Sequence, residues 1–314
     1  AITKGLKDNN HKNINLAFEN LKKLVPNERK KDIQDLDNRL NPITINKLLE
    51  EKNKKINQFK AKNTITFGYY PQTIKKSSVR IISKTPDADG YYKGSDKEKY
   101  ALVKAKPYHF ALEGAQRRFS SGELIKDNKE YYFKVEPIKW KVLEVQGDLA
   151  FLFSESILDH HNFDSLSNDY DKSSIRKWLN NEFFLKAFSE EEKRIIQTTN
   201  VDNSYTSVND IYNPHVCSNT EDKIFLLSAK EITNQAYGYS TSINGDYARR
   251  KKNSDYAKAN YAYEDKDNGY GCYWLRSACS SNKAARIFSY GNYEHFYASS
   301  DCIGIAPCMW VKFK

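Results

Sequence analysis

The stretch from 138 to 153 carries the pattern that most restricts the fold. Residues 138–145 largely alternate apolar with polar side chains, Gln146, Gly147 and Asp148 form a turn signal, and 149–153 is a short apolar run. Alternation with a period of two is typical of a half-buried strand, and a short break containing glycine between two such runs is typical of a β-hairpin. The chain is therefore predicted to build a sheet around this hairpin.

Helix starts are predicted behind the hairpin. Ser189 and Ser228 each precede a glutamate by three residues, which is the capping-box pattern, and Ser173 precedes an amphipathic segment. Strand-like pieces are predicted at 223–227, 272–277, 286–290 and 305–313, whereas 73–130 is interpreted mostly as loops. We expect residues 64–314 to form one α+β domain whose terminal strands pair with each other. The hairpin and the strands at 272–277 and 305–313 are expected to share or adjoin one sheet.

The N-terminal segment differs from the rest in charge. Residues 1–62 carry 13 Lys and 2 Arg against 4 Asp and 4 Glu, which accounts for most of the net charge of +10. The acids are mixed with the bases and Phe18 and Phe59 are the only aromatics, so a solvated helical surface is favoured over a nucleic-acid site. The predicted organisation is a helical extension or stalk at 1–62 and one domain at 63–314.

Five cysteines and one acidic loop raise the question of a metal site. The cysteines are odd in number, four of them lie after residue 271, and they form no CxxC pair. They therefore fit neither a zinc site nor a disulfide framework. The loop residues Glu264, Asp265, Asp267 and Asn268 leave two alternatives open, a calcium ion held by oxygens and a bare solvated loop. No metal and no cofactor are predicted.

Six phrases together resemble a family of bacterial extracellular domains with the C-type-lectin-like fold of formylglycine-generating-type proteins. They are FGYYPQ at 67–72, PIKWKVL at 137–143, SIRKWLN at 174–180, DKIFLLS at 222–228, YWLRS at 273–277 and GIAP at 304–307. The chain departs from the family after YWLRS, where Ala278 and Cys279 replace Pro-Gly. It also departs at the close, where Ala306 replaces arginine and Cys308 replaces alanine. This pattern of retained phrases and altered residues between them resembles the variable proteins of diversity-generating retroelements.

The resemblance implies a bias in composition, since such elements mutate template adenines, mostly in asparagine codons, and cannot produce Lys, Glu, Gln, Met or Trp. Among the 31 residues from Ala278 to Cys308, only Lys283 and Glu294 belong to that excluded set. A low-charge, strand-rich end would also disfavour Lys and Glu, but the Ser, Tyr, Asn, Asp and His residues of the stretch are not core types. Tyr with Ser, Gly and Asn is also the mixture that antibody paratopes use.

The resemblance therefore implies a non-enzymatic binding protein with its variable region at about 272–314. The ligand is expected to be a protein, with no nucleic acid bound. The expected location is the extracellular cell surface, where the protein would be a lipoprotein whose anchor and signal segment lie outside this chain. Two alternatives stay open, an oxygenase relative that uses Cys302 and Cys308, and a purely structural surface domain.

Accessibility is the physical requirement of that interpretation, because a randomised side chain must not hold the fold together. Trp274, Leu275, Ile287, Ile305, Trp310 and Val311 are predicted to be core. A hairpin turning at Gly291 and Asn292 is predicted to present an aromatic patch. The residues predicted to share one exposed binding surface are Ala278, Cys279, Ser281, Ala285, Phe288, Tyr290, Tyr293, His295, Tyr297, Ser299, Asp301, Cys302, Ala306 and Cys308.

Overall fold

The protein is described from a computed structural model that covers residues 58–109, 117–208 and 215–313. Two compact units are separated after Gln58. The predicted helical extension at 1–62 therefore falls almost wholly outside the described residues. The unit that begins at Phe59 is mixed α+β, rich in sheet and poor in helix. Among the described residues, no helix is long and apolar enough to cross a membrane.

Most strands belong to two sheets. Six strands form the first sheet, in the order β13-β5-β4-β3-β2, with β1 also paired to β4, and five form the second, in the order β11-β10-β9-β12-β6. A separate small ladder joins β7 to β8. The strands are β1 (Thr64–Ile74), β2 (Tyr92–Lys93), β3 (Lys99–Lys104), β4 (Glu130–Gln146), β5 (Leu149–Ser154), β6 (Asp159–His160), β7 (Thr199–Val201), β8 (Thr220–Asp222), β9 (Tyr273–Ser280), β10 (Lys283–Ile287), β11 (Tyr293–Tyr297), β12 (Gly304–Ile305) and β13 (Cys308–Lys312).

The predicted hairpin is confirmed as β4 and β5. Gly147 at its turn has φ +61°, a backbone conformation that glycine adopts without strain. Strand β4 continues well before 138 and pairs with both β1 and β3 in its first half. Strand β3 lies in the region interpreted as loops, so that interpretation is wrong there. The segment 223–227 is buried as predicted, but it joins a ladder only through a single bridge from Phe225 to Cys308, so the strand prediction is wrong.

Both capping boxes are confirmed. In each, the serine side chain accepts from the backbone N–H of the glutamate, and the glutamate side chain accepts from the backbone N–H of the serine. Ser173 caps the first helix in the same manner, through the Arg176 N–H. The helices are short, which is expected where packing rather than propensity stabilises them. They are α1 (Ser174–Trp178), a π turn (Leu179–Phe183) that continues into α2 (Phe184–Ala187), α3 (Glu190–Ile195), α4 (Ala229–Ile232) and α5 (Asp255–Ala259).

The terminal strands do not pair with each other, so that prediction is wrong. Strand β1 pairs with β4 and strand β13 with β5, which leaves two strands between them in one sheet. The piece predicted at 305–313 also splits, because β12 joins the second sheet and β13 the first. Pro307 lies between β12 and β13, where the chain passes from one sheet to the other and a residue without an N–H leaves no ladder hydrogen bond unmade. Its carbonyl accepts a hydrogen bond from Ser154 N at 3.0 Å.

Two buried tryptophans mark the core behind the sheets. Trp140 and Trp274 are both fully buried, and each indole N–H donates to a backbone carbonyl, of Phe67 at 2.6 Å and of His161 at 2.9 Å. Gly68 lies beside the first at a bulge in β1 with φ +69°, where a Cβ would come within 2.6 Å of the Phe188 ring. The retained phrases FGYYPQ and YWLRS therefore contain residues that hold the core together.

Candidate ligand-binding surface

The hairpin formed by β10 and β11 is the most exposed part of the second sheet. Its register places Ala285 opposite His295, and β11 is the edge strand. The turn requires glycine at Gly291, since φ is +82° and a Cβ would lie 2.0 Å from the Asp246 carbonyl oxygen. The predicted turn at Gly291 and Asn292 is therefore confirmed, although the strand predicted at 286–290 runs over Lys283–Ile287 instead.

Ten of the fourteen predicted surface residues reach solvent. Six are exposed and four are half-buried. The exposed ones are Ser281, Tyr290, His295, Tyr297, Ser299 and Asp301, and the half-buried ones are Cys279, Phe288, Tyr293 and Cys302. All ten lie on the hairpin, at the end of β9, or in the segment between β11 and β12, so they come from one part of the chain.

The exposure prediction is wrong for Ala278, Ala285, Ala306 and Cys308, which are all buried. Ala285 lies on β10, where its neighbour Ala284 is buried as well, so both faces of this inner strand are covered. Cys308 pairs with Phe153 inside the first sheet. A compositional bias marks a stretch of chain but does not give side-chain direction, which is why these four were assigned to the surface.

The predicted core residues of the same stretch are buried, with one exception. Trp274, Leu275, Ile287, Ile305 and Val311 have no appreciable accessible surface. Trp310 is only half-buried, and its ring stacks on Phe151 at 5.0 Å. The prediction that Trp310 is core is therefore wrong in degree, because β13 places that side chain at the margin of the first sheet.

One face of β11 carries an aromatic row. Tyr293, His295 and Tyr297 alternate along the strand and so point to the same side. The rings of Tyr293 and His295 meet edge to face at 5.4 Å, and the Lys283 ammonium lies 5.0 Å from the centre of the Tyr297 ring. Partial burial, together with Lys283, lowers the pKa of His295, so its imidazole is neutral at neutral pH.

The residues between them in sequence face a different environment. The Arg286 guanidinium lies 3.7 Å from the Phe296 ring centre and 4.9 Å from that of Phe288. Glu294, opposite it on β11, accepts a hydrogen bond from Arg286 at 3.0 Å. This cation is thus enclosed by two rings and neutralised by a carboxylate.

Tyrosines from outside the C-terminal stretch extend the aromatic surface. The Tyr263 ring lies 5.7 Å from Phe288, and Tyr108 meets both Tyr261 and Tyr263 at 5.4 and 5.6 Å. The Tyr263 N–H donates to the Cys302 carbonyl, which ties this group to the segment before β12. These tyrosines lie before the compositionally biased stretch that begins at residue 278, although their close spacing at 261 and 263 is a signal in the sequence.

The buried Arg249 side chain holds the hairpin turn in place through hydrogen bonds. It is fully buried and donates to the carbonyls of Ile232 at 3.0 Å, Ser242 at 2.7 Å and Gly291 at 3.4 Å. The loop that it holds also pairs with β11, since the Tyr293 N–H donates to the Ile243 carbonyl at 2.9 Å. One buried cation therefore fixes both the turn and the loop beside it.

The acidic loop at 264–268 has internal partners. Glu264 forms an ion pair with Lys258 at 2.9 Å, and Asp265 accepts from the Ser289 hydroxyl and from the backbone N–H groups of Asp267 and Asn268. Within the described residues, no group of three His, Cys, Asp or Glu side chains converges to hold a metal ion. The loop thus braces the hairpin through Ser289.

The thiols of the stretch are protonated at neutral pH. Burial raises the pKa of Cys279 to about 12 and that of Cys302 to about 11. Burial raises the pKa of Cys308 well above its usual value, and its Sγ lies 3.2 Å from the Phe225 carbonyl. Nucleophilic or metal-binding cysteines need a stabilised thiolate, which these surroundings disfavour.

Comparison with protein families matches a domain of unknown function, DUF6273, to residues 147–313. The matched region begins at the turn between β4 and β5 and includes the whole five-stranded sheet, so the candidate surface lies inside it. Comparisons with curated proteins and with solved structures find no match. Because the matched region makes up more than half of the chain, the protein belongs to the DUF6273 family.

Proposed function

We propose that this protein is a non-enzymatic ligand-binding protein of C-type-lectin-like fold, displayed on the cell surface, whose C-terminal region is diversified by a retroelement. The observation that carries the proposal is the separation within one stretch of chain. The scaffold residues Trp274, Leu275 and Ile305 are buried, while Tyr290, His295 and Tyr297 between them are exposed. Exposed positions tolerate substitution at a cost usually within about 0.5 kcal/mol, so this surface can vary while the fold persists.

The chemistry of the surface favours a protein ligand. Tyr290 and Tyr297 are 41% and 52% exposed, and both sit on a braced hairpin. Tyrosine provides a large rigid contact area at low entropic cost, and nearby serines add adaptable hydrogen bonds. The binding set is proposed to be the ten accessible residues, with the four buried ones acting as support.

The oxygenase alternative has less support. It would rely on Cys302 and Cys308, but Cys308 is fully buried and the pKa of both thiols is raised. A structural surface domain would have no use for an aromatic row on an open edge strand, since exposed aromatic patches mark interaction sites. Anchoring by a lipid outside this chain belongs to the proposal.

Sequencing is the direct test. The gene's neighbourhood is expected to contain a reverse transcriptase gene and an adenine-rich near-copy of the 3′ end. Sibling chains from related isolates should differ mainly at the ten accessible positions, with Trp274 and Ile305 unchanged. Siblings that vary evenly over the whole domain, or that retain Cys302 throughout, would contradict the proposal.

A further inference from the structure

Four consecutive cations, Arg249 to Lys252, run past the candidate surface. Their burial alternates, because Arg249 and Lys251 are buried whereas Arg250 is half-buried and Lys252 is exposed. Alternation of this kind follows from an extended backbone, in which successive side chains point to opposite sides. The run therefore divides into an inner pair, Arg249 and Lys251, and an outer pair, Arg250 and Lys252.

The inner pair is used by the fold. Arg249 donates to the carbonyls under the hairpin, as described above. Lys251 donates to the Ser154 carbonyl, and its ammonium lies 3.8 Å from the centre of the Phe153 ring. The backbone between them is held at both sides, since Gly271 N donates to the Lys251 carbonyl and Ile157 N to that of Lys252. The outer pair therefore projects from a rigid segment.

The outer pair is framed by tyrosines. The Arg250 guanidinium carbon lies 3.9 Å from the Tyr247 ring centre, 5.6 Å from that of Tyr270 and 5.7 Å from that of Tyr290. The Lys252 ammonium lies 5.8 Å from the same Tyr270 ring. Two cations therefore lie near the Tyr270 ring. Beside them, Tyr247 is 79% exposed and extends this surface into solvent.

Arg250 lacks the neutralising partner that Arg286 has. Among the residues that the structure describes, no carboxylate forms an ion pair with Arg250 or Lys252, and the Arg250 Nε is buried without a hydrogen-bond partner. The nearest acid in sequence, Asp246, accepts from the N–H groups of Ser240 and Ala248 and faces Arg249. A desolvated guanidinium edge with no acceptor is an unfavourable arrangement that an incoming anion would relieve.

We propose that Arg250 and Lys252, framed by Tyr247, Tyr270 and Tyr290, form an anion-binding site that takes the carboxylates of an acidic peptide segment. The inference deepens the proposed function, because Tyr290 belongs to both the site and the binding surface. Arg250 and Lys252 lie outside the stretch from 278 to 308. The two cations would therefore be the same in every variant, while the hairpin selects among ligands.

The geometry favours an acidic peptide over a nucleic acid. The Arg250 guanidinium carbon lies 3.9 Å from the centre of the Tyr247 ring, and a guanidinium can offer two parallel N–H groups to one carboxylate. Lys252 offers a second charge to the next acidic side chain. A nucleic acid would need cations along a continuous track.

Binding of a fluorescein-labelled hexaglutamate peptide to the full chain, followed by fluorescence anisotropy at low ionic strength, tests the site. The double variant Arg250→Gln with Lys252→Gln should weaken binding at least tenfold. The matched control, Lys177→Gln with Lys230→Gln, removes the same charge from exposed helix positions and should change the affinity less than twofold. Arg250→Lys keeps the charge but loses the planar fork, and should give an intermediate loss. Thermal melting verifies that each variant folds.

Three results would overturn the site. They are no saturable binding of hexaglutamate by the wild-type chain, an equal loss in the site variant and the control, and tighter binding of a labelled oligothymidylate that the same site variant abolishes. Hexaglutamate binding does not depend on variation among siblings, so the anion site and the proposed diversified function can fail separately.

Discussion

The last strand, β13, and the hairpin of β10 and β11 both come from the C-terminal part of the chain, yet they differ in what their side chains can do. Met309 and Val311 on β13 are fully buried, whereas His295 and Tyr297 on β11 face solvent. Both strands lie at the edge of a sheet, so the difference comes from packing, since Met309 and Val311 belong to the hydrophobic core and His295 and Tyr297 do not. Packing therefore decides which residues of this part of the chain can contact a ligand.

The largest difference in stability between the two regions is expected when tyrosine replaces a cysteine in each, Cys308 on β13 and Cys302 before β12. Cys308→Tyr forces a large ring and a hydroxyl into a fully buried position, and we expect a loss of about 4 kcal/mol or more in the free energy of unfolding. Cys302→Tyr, at a half-buried position before β12, should cost less than about 1 kcal/mol. Urea denaturation measures both. Equal losses of unfolding free energy in the two variants would show that the two positions do not differ in packing.

Removing Arg249 should damage the support under the hairpin. Arg249→Met removes a hydrogen-bond donor from the carbonyls of Ile232, Ser242 and Gly291, at an expected cost of about 3 kcal/mol. The matched change Arg250→Met removes a neighbouring cation that has no ion-pair partner among the described residues, and should cost less than about 1 kcal/mol. Hydrogen exchange at Tyr293 N should increase only in the Arg249 variant, and an unchanged exchange rate there would count against this support.

The buried Lys251 should reveal itself in the pH dependence of stability. Burial lowers its pKa to about 7, below the value of about 10.4 expected for an unfolded chain. Between these values the unfolded state binds more protons, so the contribution of Lys251 to stability rises with pH, and its penalty is complete below about pH 7. The stability of wild type minus that of Lys251→Met should increase by up to about 1.4 kcal/mol per pH unit from pH 7.5 to 9.5. A flat difference would mean that Lys251 is charged in the folded state.

The smallest effect on stability is expected at the hairpin. Tyr297→Ser removes a side chain that is 52% exposed, and we expect the free energy of unfolding to change by less than about 0.5 kcal/mol. Thermal denaturation tests this, with Ser299→Ala as a control at another exposed position. A loss comparable to that of Cys308→Tyr would place β11 in the scaffold.

Local signals in the sequence predicted local structure well. The alternation at 138–145 and the caps at Ser173, Ser189 and Ser228 specify hydrogen bonds within a few residues, and all of them form. Burial of Trp274 and Leu275 also followed from their side-chain types. These features depend little on the rest of the fold.

Long-range arrangement could not be predicted in the same way. The expectation that 305–313 shares a sheet with the hairpin is confirmed for β13, but nothing local to this segment indicates that the chain leaves one sheet at Pro307 and joins another. For the same reason Ala285 and Cys308 are predicted at the surface but lie buried, since the covered face of a strand depends on its neighbours in the sheet. The tyrosines at 108, 261 and 263 reach the hairpin only through tertiary packing.

Two displayed libraries would test the central claim most directly. One randomises the ten accessible residues with adenine-mutagenesis products, and the other randomises Ala278, Ala285, Ala306 and Cys308 in the same way. Both are scored for the folded fraction and for binding to one purified protein. We predict that the first library stays folded and yields binders whose affinity depends on the hairpin residues, while most members of the second fail to fold. Equal folded fractions in the two libraries, or no binder from the first, would contradict the assignment of this surface.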